Sequence, residues 1–205
     1  MVNHFLSTIG PEWDKRVLDL PIRDEAEIGI FVSGGIDSAV LLRLLMESTT
    51  KKQFRCFTIN NTKDNAVEHA RDSILRAQDM FKLNDHSIDH QIVQPNKPFQ
   101  ADNLIMETAM ANRPLHVYTA TNHIPPSEWF KLPGDPPWRP WRNTMHKIIS
   151  TPFLFLYKYH ILSIIDIKGW QDIYDTSHTC TEQKDGHCNI CWQCNELNWA
   201  KEQLA

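Results

Sequence analysis

The stretch Ser33-Gly34-Gly35-Ile36-Asp37-Ser38 constrains this chain more than any other. It follows the short apolar run Glu27-Ile28-Gly29-Ile30-Phe31-Val32 and precedes the helical pattern Ala39 to Met46, giving the order strand, tight loop, helix. Two consecutive glycines let the backbone turn sharply and present N–H groups to an anion with no Cβ in the way. The helix that starts there adds the positive end of its dipole at the same point. Ser33 and Ser38 offer hydroxyls to phosphate oxygens, and Asp37 suits a ligand of nucleotide-bound Mg²⁺. No Lys follows the glycines, so this is not the G-x-x-x-x-G-K-[ST] loop, and it is not the G-x-G-x-x-G fingerprint either. The plain alternative is a tight turn closed by a Ser or Asp cap. Agreement of six positions with a strand-helix context favours a phosphate site.

The rest of the chain repeats this alternation. Phe54 to Ile59 predicts a second strand and Asn65 to Leu83 an amphipathic helix with Ala66, Ala70, Ile74, Ala77 and Phe81 turned inward. His86 to Val93 predicts a weaker third strand, Ala101 to Met110 a helix, and Leu115 to Thr121 a fourth strand. Strands alternating with helices imply an α/β fold, a doubly wound parallel sheet with right-handed crossovers. Residues 1–27, punctuated by Pro11 and Pro21, suggest a short leading helix and a connector. Residues 28–175 form the expected nucleotide-binding domain, and 176–205 a cysteine-bearing extension packed on it. Residues 125–143, dense in Pro and Trp, suggest an irregular ordered loop of the kind that forms lids, and Ile148 to Lys168 a helix.

With 205 residues the chain is long enough for one medium-sized core. A formal net charge of -4 argues against strong nonspecific nucleic-acid binding through a broad cationic face. Charged and polar residues interrupt the N-terminus, which lacks the pattern of a secretory signal. Lys158, His160 and Asp166 break the longest apolar stretch, Phe153 to Ile167, so no membrane span is expected. A soluble, cytoplasmic protein is the expectation.

Four of the five cysteines crowd together as Cys180-x7-Cys188-x2-Cys191-x2-Cys194. Four thiolates in so short a segment suit closed tetrahedral zinc, with no position left open for water. Such a site holds shape rather than doing chemistry. His178 and His187 could replace one cysteine, and an iron-sulfur cluster would accept the same thiolates. Cys56 stands apart and suits core packing.

Ser-Gly-Gly-x-Asp-Ser after an apolar strand resembles the PP-loop of the ATP pyrophosphatase superfamily, the adenine nucleotide alpha hydrolase-like fold. That resemblance implies AMP transfer from ATP with pyrophosphate leaving. A PP-loop near the N-terminus joined to this C-terminal cysteine spacing is similar to the QueC family, the 7-cyano-7-deazaguanine synthases of queuosine biosynthesis. Ser150-Thr151-Pro152-Phe153 through Tyr157-Lys158-Tyr159-His160-Ile161 is similar to that family's Thr-Pro-Leu and Lys-x-x-Ile. The match implies that Lys158 sits near the ATP phosphates, balancing charge on the leaving pyrophosphate; an exposed helix lysine is the plain alternative. Asn122, in Thr119-Ala120-Thr121-Asn122-His123, occupies the place of the family's Gly-x-Asn segment near nucleotide and substrate. The resemblance further implies ATP, Mg²⁺ and Zn²⁺ as cofactors, a small-molecule carboxylate and ammonia as reactants, and a homodimer.

Two departures bear on the substrate. The family's Tyr-Gly-Gln-Arg-His after strand two is replaced by Asn60-Asn61-Thr62-Lys63-Asp64, and its Arg after the last cysteine pair by Glu196-Leu197. Arg139 and Arg142, in Pro136-Pro137-Trp138-Arg139-Pro140-Trp141-Arg142-Asn143, could clamp a carboxylate while Trp138 and Trp141 stack a planar base, or that loop is simply anchored by its own aromatics. Other PP-loop chemistry, such as asparagine-synthase-like amidation or tRNA thiolation, and a noncatalytic ATP-sensing module stay open.

Overall fold

A computed structural model describes residues 2–60, 65–95, 101–113, 115–126 and 148–205. Among them a five-stranded parallel sheet runs in the order β5-β4-β3-β6-β7. Its strands are β3 (Glu27–Phe31), β4 (Gln53–Ile59), β5 (Ser87–Val93), β6 (Val117–Tyr118) and β7 (Ile149–Ser150). β3 lies at the centre because both of its faces are covered: Ile28, Ile30 and Val32 belong to one apolar cluster and Phe31 to another. A strand buried on both faces reads as a continuous apolar run, which is how Ile28 to Val32 reads.

Helices α1 (Ile36–Glu47), α2 (Ala66–Met80) and α4 (Lys158–Lys168) pack their buried residues into the first cluster with Phe54 and Cys56, while Ala109 of α3 (Ala101–Ala111) joins the second with Phe57 and Val117. Helices on both faces make the doubly wound α/β sheet that the alternation implied. Ten of the twelve α1 residues are buried, so this helix is apolar nearly all round. The charged exception is Arg43, 1% exposed, whose guanidinium donates to both carboxylate oxygens of Asp172 at 2.7 and 2.5 Å. Asp172 opens the short helix α5 (Asp172–Thr176). Cys56 is fully buried and burial pushes its thiol up to about 12, which makes it an inert core residue.

Two expectations need correction. The N-terminus is not a helix but an antiparallel ribbon, β1 (Val2–Ile9) with β2 (Arg16–Ile22). Leu18, Leu20 and Ile22 are buried while Val17 and Asp19 are exposed, the two-residue period of a half-buried strand. The ribbon docks on α4: the Gly10 N–H donates to Ser163 Oγ at 2.8 Å, and the Tyr159 hydroxyl to Asp14 Oδ2 at 2.6 Å. Likewise Ile148 to Lys168 is not one helix. Ile149 and Ser150 extend the sheet beside β6, and α4 starts only at Lys158. Pro152 supplies the reason, since it biases the residue before it toward extended backbone and away from helix. No helix among the described residues is long and apolar enough to cross a membrane.

Candidate nucleotide site and cysteine cluster

In this strand order the chain leaves β3 on one side for β4 and β5 and returns on the other as β6 and β7. That reversal opens a crevice at the carboxyl ends of β3 and β6, where ligands of doubly wound sheets bind. The Ser33 to Ser38 loop leaves β3 at this point, and the segment carrying Asn122 leaves β6.

Gly34 holds the loop in its shape. Its φ is +80°, and a Cβ built there would meet His69 Cβ at 2.8 Å and Ala66 O at 2.9 Å. Only glycine fits. Gly35 precedes α1 in extended conformation, and no side chain caps the helix N-terminus. The loop is tied internally: Ser38 Oγ donates to Gly35 O at 2.9 Å and accepts the Ser33 N–H at 3.1 Å, with Ser33 Oγ 3.2 Å away. Ser38 is buried and braces the turn, whereas Ser33 is exposed at its mouth. Ile36 turns its side chain into the core, so only its backbone faces the loop.

Beside the loop lies a polar chain drawn from four elements, buried except at the half-buried Asp37. Asp37, in the first turn of α1, accepts from Lys158 Nζ at 2.5 Å. Lys158 is the first residue of α4 and only 3% exposed, and its ammonium also lies 3.9 Å from Glu196 Oε2. Glu196 sits on α6 (Trp192–Glu202), and its Oε1 accepts from Asn122 Nδ2 at 2.9 Å. Asp37 Oδ1 is buried with no hydrogen-bond partner among the described groups. Buried charges are tolerated only when paired, and here two carboxylates share one ammonium.

The structure thus pairs Asp37 with Lys158 and links Lys158 to Asn122 through Glu196. Glu196 was missed as a site residue. The signal available was a lone carboxylate between the buried positions Cys194, Leu197 and Ala200 of an amphipathic helix. Arg139 and Arg142 lie outside the described residues.

The C-terminal segment brings Cys180, Cys188, Cys191 and Cys194 together, with all four sulfurs within 4.8 Å of one another. Cys188 Sγ is 3.9 Å from Cys194 Sγ, and Cys191 Sγ is 4.0 Å from Cys180 Sγ. Four sulfurs at tetrahedral bonds of about 2.3 Å to one ion stand about 3.8 Å apart, so the donor set fits a single metal. Cys191 is the N-cap of α6, its sulfur accepting the Cys194 N–H at 3.5 Å, and Cys188 Sγ accepts the Cys191 N–H at 3.2 Å. Backbone N–H donation from Ile190 and then Cys191 draws the Cys188 thiol down to about 6, favouring the thiolate, while burial raises Cys194. His187 Nδ1 lies 3.6 Å from Cys194 Sγ, beside the group of four rather than within it.

The cluster and the loop touch. The His178 N–H donates to Gly34 O at 2.8 Å, and the His178 ring stacks on His69 of α2 with centroids 4.8 Å apart.

Residues 18–95 match the family model described as asparagine synthase. Among solved structures the chain is similar to an NMN synthetase from Francisella tularensis, at 12% identity and a TM-score of 0.46, over 87% of this chain and 85% of that one. It is also similar to the U34-tRNA thiolase NcsA from Methanococcus maripaludis with its 4Fe-4S cluster, at 10% identity and a TM-score of 0.47. That second alignment covers 88% of this chain but 65% of the thiolase. No curated protein matches. The stretch that matches the asparagine synthase model carries β3, the glycine loop and α1, and it supports a PP-loop nucleotide site of that superfamily in this part of the chain.

Proposed function

We propose that this protein is an ATP-dependent carbon-nitrogen ligase that adenylates a carboxylate and amidates it with ammonia. The observation that carries the reading is the Lys158-Asp37 pair at 2.5 Å, set against an uncapped helix N-terminus and a turn that only glycine can make. Backbone N–H groups at Gly35 and Ile36 and the α1 dipole would receive phosphate oxygens. Asp37 would hold Mg²⁺, which neutralises phosphate charge when bound. Lys158 would meet the charge that grows on the departing pyrophosphate.

In the first step a carboxylate oxygen attacks the α-phosphorus of ATP, forming an acyl-adenylate bond as the bond to the β-phosphate oxygen breaks and pyrophosphate leaves. Ammonia then attacks the acyl carbon, losing a proton, and AMP departs with the electron pair of the broken acyl carbon-oxygen bond of the mixed anhydride. The resemblance to the QueC family makes 7-carboxy-7-deazaguanine the preferred acceptor. There a second adenylation, on the amide oxygen, leads to the nitrile of 7-cyano-7-deazaguanine. The residues described here supply orientation and charge, and no covalent nucleophile is required.

The four cysteines would hold zinc. A four-iron cluster stands between its cysteine sulfurs and holds them farther apart than a single ion does, so spacings of 3.9 and 4.0 Å favour one ion.

The test is to incubate zinc-loaded protein with ATP, Mg²⁺, ammonium and 7-carboxy-7-deazaguanine and to follow AMP, pyrophosphate and nitrile. All three are expected. AMP and pyrophosphate only with another acceptor would move the chain to another PP-loop reaction, and no turnover with any acceptor would favour a nucleotide-sensing module.

A further inference from the structure

The polar chain Asp37, Lys158, Glu196, Asn122 holds more than the proposed reaction uses. Nothing in that reaction assigns a role to Glu196, yet it is 2% exposed, with Asn122 donating to Oε1 and Lys158 facing Oε2. A carboxylate is not kept at such depth without a charge to answer.

Lys158 is shared unequally. It bonds Asp37 at 2.5 Å and stands 3.9 Å from Glu196, beyond hydrogen-bond length but within the reach of a side-chain adjustment. Asp37 meanwhile has one oxygen engaged by the ammonium and the other buried without a partner. A divalent cation arriving at Asp37 would use the idle oxygen and would meet the Lys158 ammonium at once. A cation on Oδ1 and the ammonium on Oδ2 would stand side by side and repel, which favours moving the ammonium off Asp37, and leaving it unpaired there is costly. Glu196 is the neighbouring acid already aimed at it.

We propose that Glu196 is a positioning residue that receives the Lys158 ammonium when a divalent cation displaces it from Asp37, holding Lys158 protonated and pointed into the crevice. Asn122, by donating to Oε1, leaves Oε2 as the oxygen that faces Lys158. The inference rests on the nucleotide reading only in expecting the cation to arrive with ATP. The exchange between ammonium and cation needs no nucleotide.

The test uses the whole zinc-loaded chain and Mn²⁺ without nucleotide, with binding read by electron paramagnetic resonance in wild type, Glu196→Gln, Lys158→Met and the double variant. Removing the competing ammonium should tighten Mn²⁺ binding in Lys158→Met by about tenfold or more. Glu196→Gln in the wild-type background should weaken Mn²⁺ by about tenfold, since the displaced lysine loses its second partner. In the Lys158→Met background the same change should do nothing, and that non-additivity is the signature of positioning. Equal weakening in both backgrounds would make Glu196 a direct metal ligand and overturn the inference. So would an unchanged affinity in Glu196→Gln, or the absence of bound Mn²⁺ in Lys158→Met. Should the methionine variant not fold, by circular dichroism and zinc content, Lys158→Gln carries the same comparison. Failure of ATP binding with this Mn²⁺ pattern intact would sink the proposed function and leave the exchange standing.

Discussion

The backbone N–H of His178 donates to the carbonyl of Gly34 at 2.8 Å, tying the residue two positions before the first clustered cysteine to the glycine that shapes the phosphate loop. The cysteine cluster therefore lies close to the proposed nucleotide site through this hydrogen bond, and a metal held there would fix the segment that makes it.

From that link follows a metal dependence of nucleotide affinity. Chelation, or Cys191→Ser, should release the metal and loosen His178, and affinity for a nonhydrolysable ATP analogue should fall by about tenfold, the worth of one buried hydrogen bond. Metal content by mass spectrometry and titration calorimetry on the same samples check this. Unchanged affinity in metal-free, folded protein would separate the two sites.

At Gly34, any Cβ combines a φ of +80° with contacts below 3.0 Å to His69 and the Ala66 carbonyl. Gly34→Ala should cost about 2 kcal/mol or more of stability and should abolish nucleotide binding. Thermal unfolding together with nucleotide titration measures both, and a variant as stable as wild type would refute the steric account of the turn.

Arg43 and Asp172 join α1 to α5 across the core. Because Arg43 is 1% exposed and Asp172 about a third exposed, Asp172→Ala should cost about 2–3 kcal/mol, mostly from a buried guanidinium left without its carboxylate. Hydrogen bonding from Arg43 lowers the Asp172 carboxyl below its ordinary value. Its contribution is thus present above the unfolded value near 3.9 and is lost as pH falls through the lower folded one. Chemical denaturation of both proteins at neutral pH and again below about pH 4 should show the difference between them shrinking in acid.

His160 acts at milder pH. Its ring is fully buried, with Nδ1 accepting the Tyr157 N–H at 3.1 Å and Nε2 2.9 Å from the Asp14 carbonyl, so the neutral tautomer satisfies both nitrogens. Burial lowers its pKa from the ordinary 6.5 to about 4. Between those values the unfolded chain binds the proton and the folded one does not, so stability should decline as pH falls from 6.5 toward 4. His160→Gln should flatten that slope, read as melting temperature against pH for the two proteins. Parallel slopes would assign the acid sensitivity to other groups.

Much of the site was legible because its chemistry is local. The glycine pair, Asp37 and the cysteine spacing each carry their constraint within a few residues, and β3 with α1 announce themselves by apolar run and helical pattern. Lys158 and Asn122 were reached through resemblance, and Glu196 lies between them. What escaped was set by distant contacts. The β1-β2 ribbon is alternating only from Val17 to Ile22, and its docking partners Ser163 and Tyr159 lie about 150 positions along the chain. Ile149 and Ser150 become strand because β6 offers a free edge, which no local propensity reveals. Glu196 looked like a departure from a family pattern, and only the packing of α6 against α4 shows it facing Lys158.

The most direct measurement is calorimetry of the zinc-loaded protein with Mg²⁺ and a nonhydrolysable ATP analogue. The account predicts saturable heat with one nucleotide bound per chain, lost in Gly34→Ala. A flat titration on folded, metal-loaded wild-type protein would contradict it.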